Sequence, residues 1–258
     1  MARIALTRPV SASIGRCELT YLDREPIDLD RARQQHAVYE SLLASLGWQI
    51  ERLPTLDDQP DAVFVEDAAI ALDELAVVAP MGAASRTGES RTVEEALARF
   101  LPVRHLNSPA TLDGGDVMRA DRRIFVGLSS RTNIRAVDQL TRLLEPYDYE
   151  VMSVSVRGAL HLKSACSYLG DNTLLANVEW IDTTPFKGME ILPVGASEAW
   201  GASVLNAEGH VVMPAGFPQT ARLLERRGFG VEIIDLSELR KAEGGPTCLS
   251  ILLPKSGA

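Results

Sequence analysis

The chain has 258 residues, 46% hydrophobic and 24% charged, an ordinary composition for a protein that buries a substantial core. A formal charge of −9 and the lack of any lysine/arginine run exclude the basic face a nucleic-acid binder needs. No apolar stretch approaches the roughly 20 residues of a membrane span, so neither nucleic acid nor membrane is an expected partner.

The elements repeat along the chain. Met1 leads directly into strand-like Ile4-Ala5-Leu6, without the basic region and apolar run of a signal peptide. Residues 3–9 and 48–53 read as two strands around a helix that starts near Leu29. The insert at 11–30 is long enough to be a lid over a site or a plain surface loop. Residues 61–67 cross an apolar triplet as a strand ending in two acids. A second copy opens at 76–80, carries Ser85-Arg86-Thr87 and returns at 103–106. The third comprises 124–132, a helix over 134–144 and a strand over 149–156. A copy with a reduced helix lies at 174–177 and 190–194, and the last spans 210–214 to 231–236. Val137, Leu140, Thr141 and Leu144 form one face at helical spacing. Gly47, Gly228 and Gly230 are placed as left-handed helix caps. Five β-rich modules some 40–50 residues apart predict a closed radial α/β array in a single domain, 1–258. A doubly wound sheet is the alternative.

Three cysteines, Cys17, Cys166 and Cys248, form neither a disulfide framework nor a CxxC zinc pattern, so a reduced, cytoplasmic protein is expected. Cys248 follows Glu243-Gly244-Gly245-Pro246-Thr247, a turn that can face a side chain into a cavity, although a lone cysteine is commonly structural. His36 is read at a polar helix start, His105 on an outer strand and His210 in a turn. His161, on one face of the strand-like 160–164, is left as the best acid/base candidate, against a satisfied core histidine. Asp113-Gly114-Gly115-Asp116 sets two acids round a diglycine that allows close backbone approach. Metal binding is discounted because no histidine or further carboxylate stands at ligand spacing. There is no GxSxG, P-loop or GxGxxG.

Read together, DAVFVED at 61–67, SRTGE at 85–89, LDGGDV at 112–117, FVGLSSRTN at 125–133, LHLKS at 160–164, MPAG at 213–216 and GGPTCLS at 244–250 resemble the guanidino-group modifying superfamily. The closest match is the dimethylarginine dimethylaminohydrolase family. The resemblance implies a five-bladed α/β propeller, the pentein fold, of repeated ββαβ-type modules. It implies hydrolysis of Nω-methylated arginines to citrulline through a covalent cysteine intermediate, without cofactor or metal. Cys248 matches the nucleophile, His161 the acid/base and Asp113 the triad carboxylate. Asp67 matches the acid that grips the guanidinium, with Glu66 in support. Arg86 and Arg131 match the pair that binds the α-carboxylate. Asp61 and the backbones of Leu19 and Ala242 match contacts to the amino-acid end. Arginine deiminases share the set, but their histidine motif carries an acid where this chain has Lys163, and they add a helical domain. A deiminase-like hydrolase on another guanidine is the alternative, and a non-catalytic binding propeller the more distant one. The expected partner is a cationic amino acid; a homodimer is entertained with no residue to support it.

Overall fold

Each copy of the repeat folds into one three-stranded sheet. The computed structural model describes residues 3–253; Met1 lies outside them. In the first module β1 (Arg3–Thr7) reaches β2 (Trp48–Arg52) through α1 (Leu29–Ser45). The second holds β3 (Ile70–Ala71), β4 (Ala76–Val78), α2 (Ser90–Leu97) and β5 (Val103–His105). The third holds β6 (Val117–Ala120), β7 (Arg123–Leu128), α3 (Ile134–Leu144) and β8 (Glu150–Ser155). In the fourth, α4 (Leu162–Ala165) leads into β9 (Cys166–Gly170) and β10 (Thr173–Ala176), and a 3-10 turn at Thr184–Phe186 replaces the helix before β11 (Glu190–Pro193). The fifth has β12 (Leu205–Ala207), β13 (His210–Pro214), α5 (Pro218–Arg226), β14 (Gly230–Ile234) and α6 (Ser237–Arg240). A final strand, β15 (Ile251–Leu252), returns to the first sheet.

Every sheet pairs its first two strands antiparallel and its last two parallel. A parallel pair needs a crossover, and the module's helix supplies it, except in the fourth module, where the connection runs through the Thr184–Phe186 turn. Neighbouring modules touch in order round a ring: β15 on β3, the Val65–Ala68 turn on the Gly114–Asp116 turn, β6 on β9, β9 on β12, and α1 on β14. β15 pairs antiparallel with β1, Ala5 opposite Leu252, so the first sheet is built from both ends of the chain and shuts the ring.

The middle strands read as unbroken apolar runs because both of their faces are buried. Side chains alternate across a strand, so Ala5 enters the cluster shared with the fifth module and Leu6 the cluster shared with the second. Leu174 and Leu175 likewise part toward the third and fifth modules. Five apolar clusters, one per interface, therefore glue the blades.

Local signals start and stop the helices. Asp28 caps α1 by accepting from Arg31 N–H at 3.1 Å, and Asn133 caps α3 by accepting from Ala136 N–H at 3.1 Å; such caps contribute about 1 kcal/mol each. Gly47 at φ +90° and Gly228 at φ +85° take the left-handed conformation expected of them, whereas Gly230 is ordinary strand. His36 is not at a helix start: it lies within α1, buried beside Glu40 on the face that also buries Ala32, Tyr39 and Leu43. His105 does end an outer strand, and His210 opens β13 rather than a turn.

Candidate active site

Two segments differ from their expected local form. Residues 61–67 are not a strand: Val65–Ala68 is a 3-10 turn. Its neighbourhood makes no ladder because its carbonyls hold arginines. Ala62 O accepts from Arg8 at 2.9 Å, and the carbonyls of Asp61 and Phe64 each accept from Arg86 at 3.3 Å. His161 does not alternate in a strand either. It caps the four-residue α4, whose Leu162 N–H donates to Asp116 at 2.9 Å.

Both departures aim side chains at one end of the ring. The loops entering the second, third and fourth modules bring Asp67, Asp113 and His161 together, and the turn before β15 adds Cys248. His161 Nε2 lies 3.1 Å from Asp113 Oδ2, and Nδ1 lies 3.7 Å from Asp67 Oδ1. The diglycine makes this approach possible. A Cβ on Gly115 would stand 2.6 Å from both Asp67 Oδ1 and His161 Nδ1, and one on Gly114 only 2.0 Å from Glu66 O. Cys248 Sγ receives the Gly245 N–H at 3.4 Å, and Cys248 O accepts from Glu66 N–H at 3.2 Å.

Burial disfavours charge on His161, but Asp67, Asp113 and Asp116 outweigh it and raise the imidazole to about 9. The Cys248 thiol is pushed up to about 12, by burial first and then by the negative field of Glu66 and Asp67. At neutral pH the pair therefore stands as imidazolium and thiol. Asp67 is held below the usual carboxylate range: its burial is outweighed by His161 and Arg86.

The acids and the imidazole meet in space though not along the chain. Ligand-capable atoms of Asp67, Asp113 and His161 lie within 4.8 Å of one another, so the spacing argument against a metal fails. The donor set argues against one instead. Asp67 accepts from Gly115 N–H at 3.1 Å and Arg86 at 2.7 Å, Asp113 accepts from Gly82 N–H at 2.9 Å, and the imidazole is protonated. A cation would displace donors from every ligand and meet a fixed guanidinium at Asp67.

The expected substrate contacts divide. Asp61, Asp67, Arg86, Arg131, His161, Ala242 and Cys248 line one pocket whose free volume is only about 10 Å³, room for roughly one water. Glu66 does not line it. It pairs with Lys163 at 2.6 Å and faces a separate cavity that also takes in Gly114, Leu205 and Ser250. Leu19 packs on the first apolar cluster, while its neighbour Glu18 lines the pocket and gives its N–H to Asp61 at 3.1 Å. Arg86 is 3% exposed and its fork is occupied, by Asp67 at 2.7 Å and by Glu89 at 2.8 Å. Arg131 differs: its Nη1 is buried without a partner. Glu89, Glu18 and Glu243 were not singled out from the sequence, although Glu89 and Glu243 sit inside or beside its motifs, and Asp116 was noted there only as the second acid of the diglycine turn.

Five such blades around a pocket that holds a thiol, an imidazole and paired carboxylates define a pentein-fold protein. A family model described as "N,N dimethylarginine dimethylhydrolase, eukaryotic" matches residues 19–189. A N(G),N(G)-dimethylarginine dimethylaminohydrolase of Streptomyces coelicolor is 38% identical over 96% of this chain and 96% of that protein. The chain belongs to the dimethylarginine dimethylaminohydrolase family. Among solved structures, a Pseudomonas aeruginosa family member, a cysteine-to-serine variant complexed with citrulline, superposes with a TM-score of 0.92 at 31% identity, covering 98% of this chain and 100% of that one. A histidine-to-glycine variant, as its adduct with S-methyl-L-thiocitrulline, gives 0.93 at 32% identity, again over 98% and 100%. Among the described residues, no helix is long and apolar enough to cross a membrane.

Proposed function

We propose that this chain hydrolyses Nω-methylated L-arginines to L-citrulline and methylamine or dimethylamine, with Cys248 as nucleophile, His161 as acid/base and Asp113 as the carboxylate that orients it. The observation that carries this reading is the meeting in one pocket of the Cys248 thiol and the His161 imidazole, the latter held between the buried carboxylates of Asp113 at 3.1 Å and Asp67 at 3.7 Å. Such a pocket has acids ready for a guanidinium but no thiolate until one arrives.

The substrate guanidinium, set against Asp67 and Asp113, adds positive charge beside Cys248. That charge favours the thiolate, whose proton leaves to solvent. The sulfur attacks the guanidinium carbon, the imidazolium gives its proton to the departing amine nitrogen, and the C–N bond breaks. A thiouronium remains on Cys248. Neutral His161 then takes a proton from water, the hydroxide adds to the same carbon, and the C–S bond breaks as the hydroxyl proton passes to the departing sulfur, releasing citrulline and restoring the thiol. Asp113 fixes the ring orientation through Nε2, and Asp67 stabilises the ring's charge from the Nδ1 side. Arg131, with a spare donor, takes the α-carboxylate. Asp61 and the backbones of Leu19 and Ala242 serve the amino-acid end. Arg86 then acts chiefly by holding Asp67, and Glu66 by supporting the turn beneath it. The three unpaired thiols fit a reducing cytoplasm.

The test follows citrulline from asymmetric dimethylarginine, monomethylarginine and arginine beside a Cys248→Ala control. Citrulline from the methylated substrates, lost in the control, is expected. Preference for arginine would replace this reading with a deiminase one, and full activity in the control would remove Cys248 from the chemistry.

A further inference from the structure

The MPAG segment at 213–216 has no part in the pocket of Cys248. It borders a second cavity, of about 60 Å³, against the Gly244-Gly245 turn. Glu243 and Gly244 line both spaces, but Cys248, His161, Asp67 and Arg131 do not line this one. Its walls are apolar at Trp200, Phe217 and Leu22, and polar at Arg240, Ser164 and Ser203. Trp200 is braced edge-on by Trp180, with ring centroids 4.7 Å apart. Gly245 keeps the space open: a Cβ there would stand 2.4 Å from Ser203 Oγ.

The donors of this cavity have nothing to donate to. Arg240, the last residue of α6, is half-buried and holds its guanidinium over the Phe217 ring, 4.8 Å from the centroid. Among the described residues it makes no ion pair and no side-chain hydrogen bond. The acids nearby are occupied elsewhere. Glu238 accepts from Lys241 at 2.7 Å and from Asp28 N–H at 2.9 Å, and Glu243 Oε1 accepts the N–H groups of Thr20, Tyr21 and Leu22. Burial therefore pulls Arg240 below the usual arginine range, and no carboxylate offsets it. Ser203 is 8% exposed. Its hydroxyl, like that of Ser164 one turn beyond His161, has no hydrogen-bond partner among the described residues. A guanidinium and two hydroxyls left open toward one space call for an acceptor.

On the measure that gives the catalytic pocket room for one water, this cavity holds a molecule of roughly four to six non-hydrogen atoms. A planar fork beside two hydroxyls matches the two oxygens of a carboxylate. A dianion such as phosphate would bring a second charge with no second cation to meet it, and the aromatic walls would strip water from its remaining oxygens. We propose that this cavity is a second ligand site that takes a short-chain monocarboxylate, with its oxygens on Arg240, Ser164 and Ser203 and its tail between Trp200, Phe217 and Leu22. The site is separate from the catalytic pocket and stands whether or not the reaction put forward above is correct. Its occupant touches Leu22 of the 11–30 insert and the turn whose Gly245 N–H donates to Cys248 Sγ at 3.4 Å. It meets the nucleophile's support without displacing a guanidine.

Propionate is the probe, and propionamide its uncharged counterpart. The chain has three tryptophans, so the indole N–H resonance of Trp200 can be followed by nitrogen-edited NMR once Trp200→Phe has assigned it. Propionate is expected to shift that resonance saturably, with a dissociation constant of about 1 mM, and propionamide to leave it in place. Arg240→Gln is expected to weaken propionate roughly 10-fold or more, the loss of a charged hydrogen bond. Ser203→Val, which removes a hydroxyl and leaves the cation, is expected to weaken it too, so a folding failure at 240 does not decide the matter. Arg131→Ala is expected to bind propionate within about 2-fold of the parent protein. No saturable shift below about 50 mM, an equal response to propionamide, or phosphate binding tighter than propionate would overturn the proposal. So would undiminished affinity in Arg240→Gln and Ser203→Val, or a loss in Arg131→Ala, which would mean that the ligand sits in the catalytic pocket.

Discussion

The free enzyme is expected to keep Cys248 as an unreactive thiol, and alkylation by iodoacetamide measures this directly. The half-buried side chain packs on the first apolar cluster, and burial together with the fields of Glu66 and Asp67 pushes its thiol up to about 12 from an ordinary 9. Three units correspond to about 4 kcal/mol against the thiolate. At pH 7.5 the reactive fraction falls roughly 1,000-fold below that of a thiol of normal acidity. The assay follows carbamidomethylation of the peptide that contains Cys248 by mass spectrometry, between pH 6.5 and 10, in the absence of substrate. The logarithm of the initial rate is expected to climb with unit slope and to keep climbing past pH 9. A plateau reached below pH 8.5 would refute the reasoning, because it would mean a thiolate already activated by His161⁺ before any guanidinium binds.

Three further outcomes follow from the same geometry. His161, raised in the fold from 6.5 to about 9, binds its proton more tightly folded than unfolded, a difference worth about 3 kcal/mol. That stabilisation is complete below pH 6.5 and lost as pH rises through 9; urea midpoints of wild type and His161→Asn should converge across that window, and a gap independent of pH would count against it. Gly115→Ala drives a methyl into Asp67 and His161, whose atoms lie 2.6 Å from the added carbon; kcat should fall by roughly 100-fold or more, the scale of a 1 Å misplacement, and near-normal kcat would show the diglycine to be slack. Arg131→Ala should raise KM with kcat little changed, whereas Arg86→Ala should cost roughly 3–5 kcal/mol of stability in chemical denaturation, by stranding Asp67 and Glu89; the opposite pattern would mean that Arg86 is the carboxylate's anchor.

Much of the ring was legible because its period is written in the chain. Asp113 and His161 stand 48 residues apart, as do Asp67 and Gly115, which is one turn of the repeat. Equivalent loops of successive modules therefore converge at the centre, and the same spacing that hid the Asp67, Asp113 and His161 cluster from a search for ligand motifs brings it together. Helix α3 was legible to the residue, since its apolar stripe has a cap at one end and a turn at the other. The innermost strands were not: β3 and β15 have only two residues each, too short for any periodicity to register. The segment 160–164 around His161 alternates like a strand, but α4 is a single turn, fixed by the Asp116 carboxylate rather than by its own pattern. The occupied state of Arg86 and the spare nitrogen of Arg131 are matters of hydrogen-bond supply, which no sequence motif records.

The closure of the first sheet by β15 has a consequence for how this protein comes into being. Cys248 lies just ahead of β15, so the proposed nucleophile joins the growing chain only after the other fourteen strands have been made. It reaches its place only when that short strand docks against β1, which precedes every other strand of the ring. Four blades can form on the nascent chain while the pocket is still without its sulfur. Assembly of the ring and, on the proposed assignment, arming of the site are thus one event, and a chain cut short before that event is expected to be chemically silent rather than a loose, half-active hydrolase.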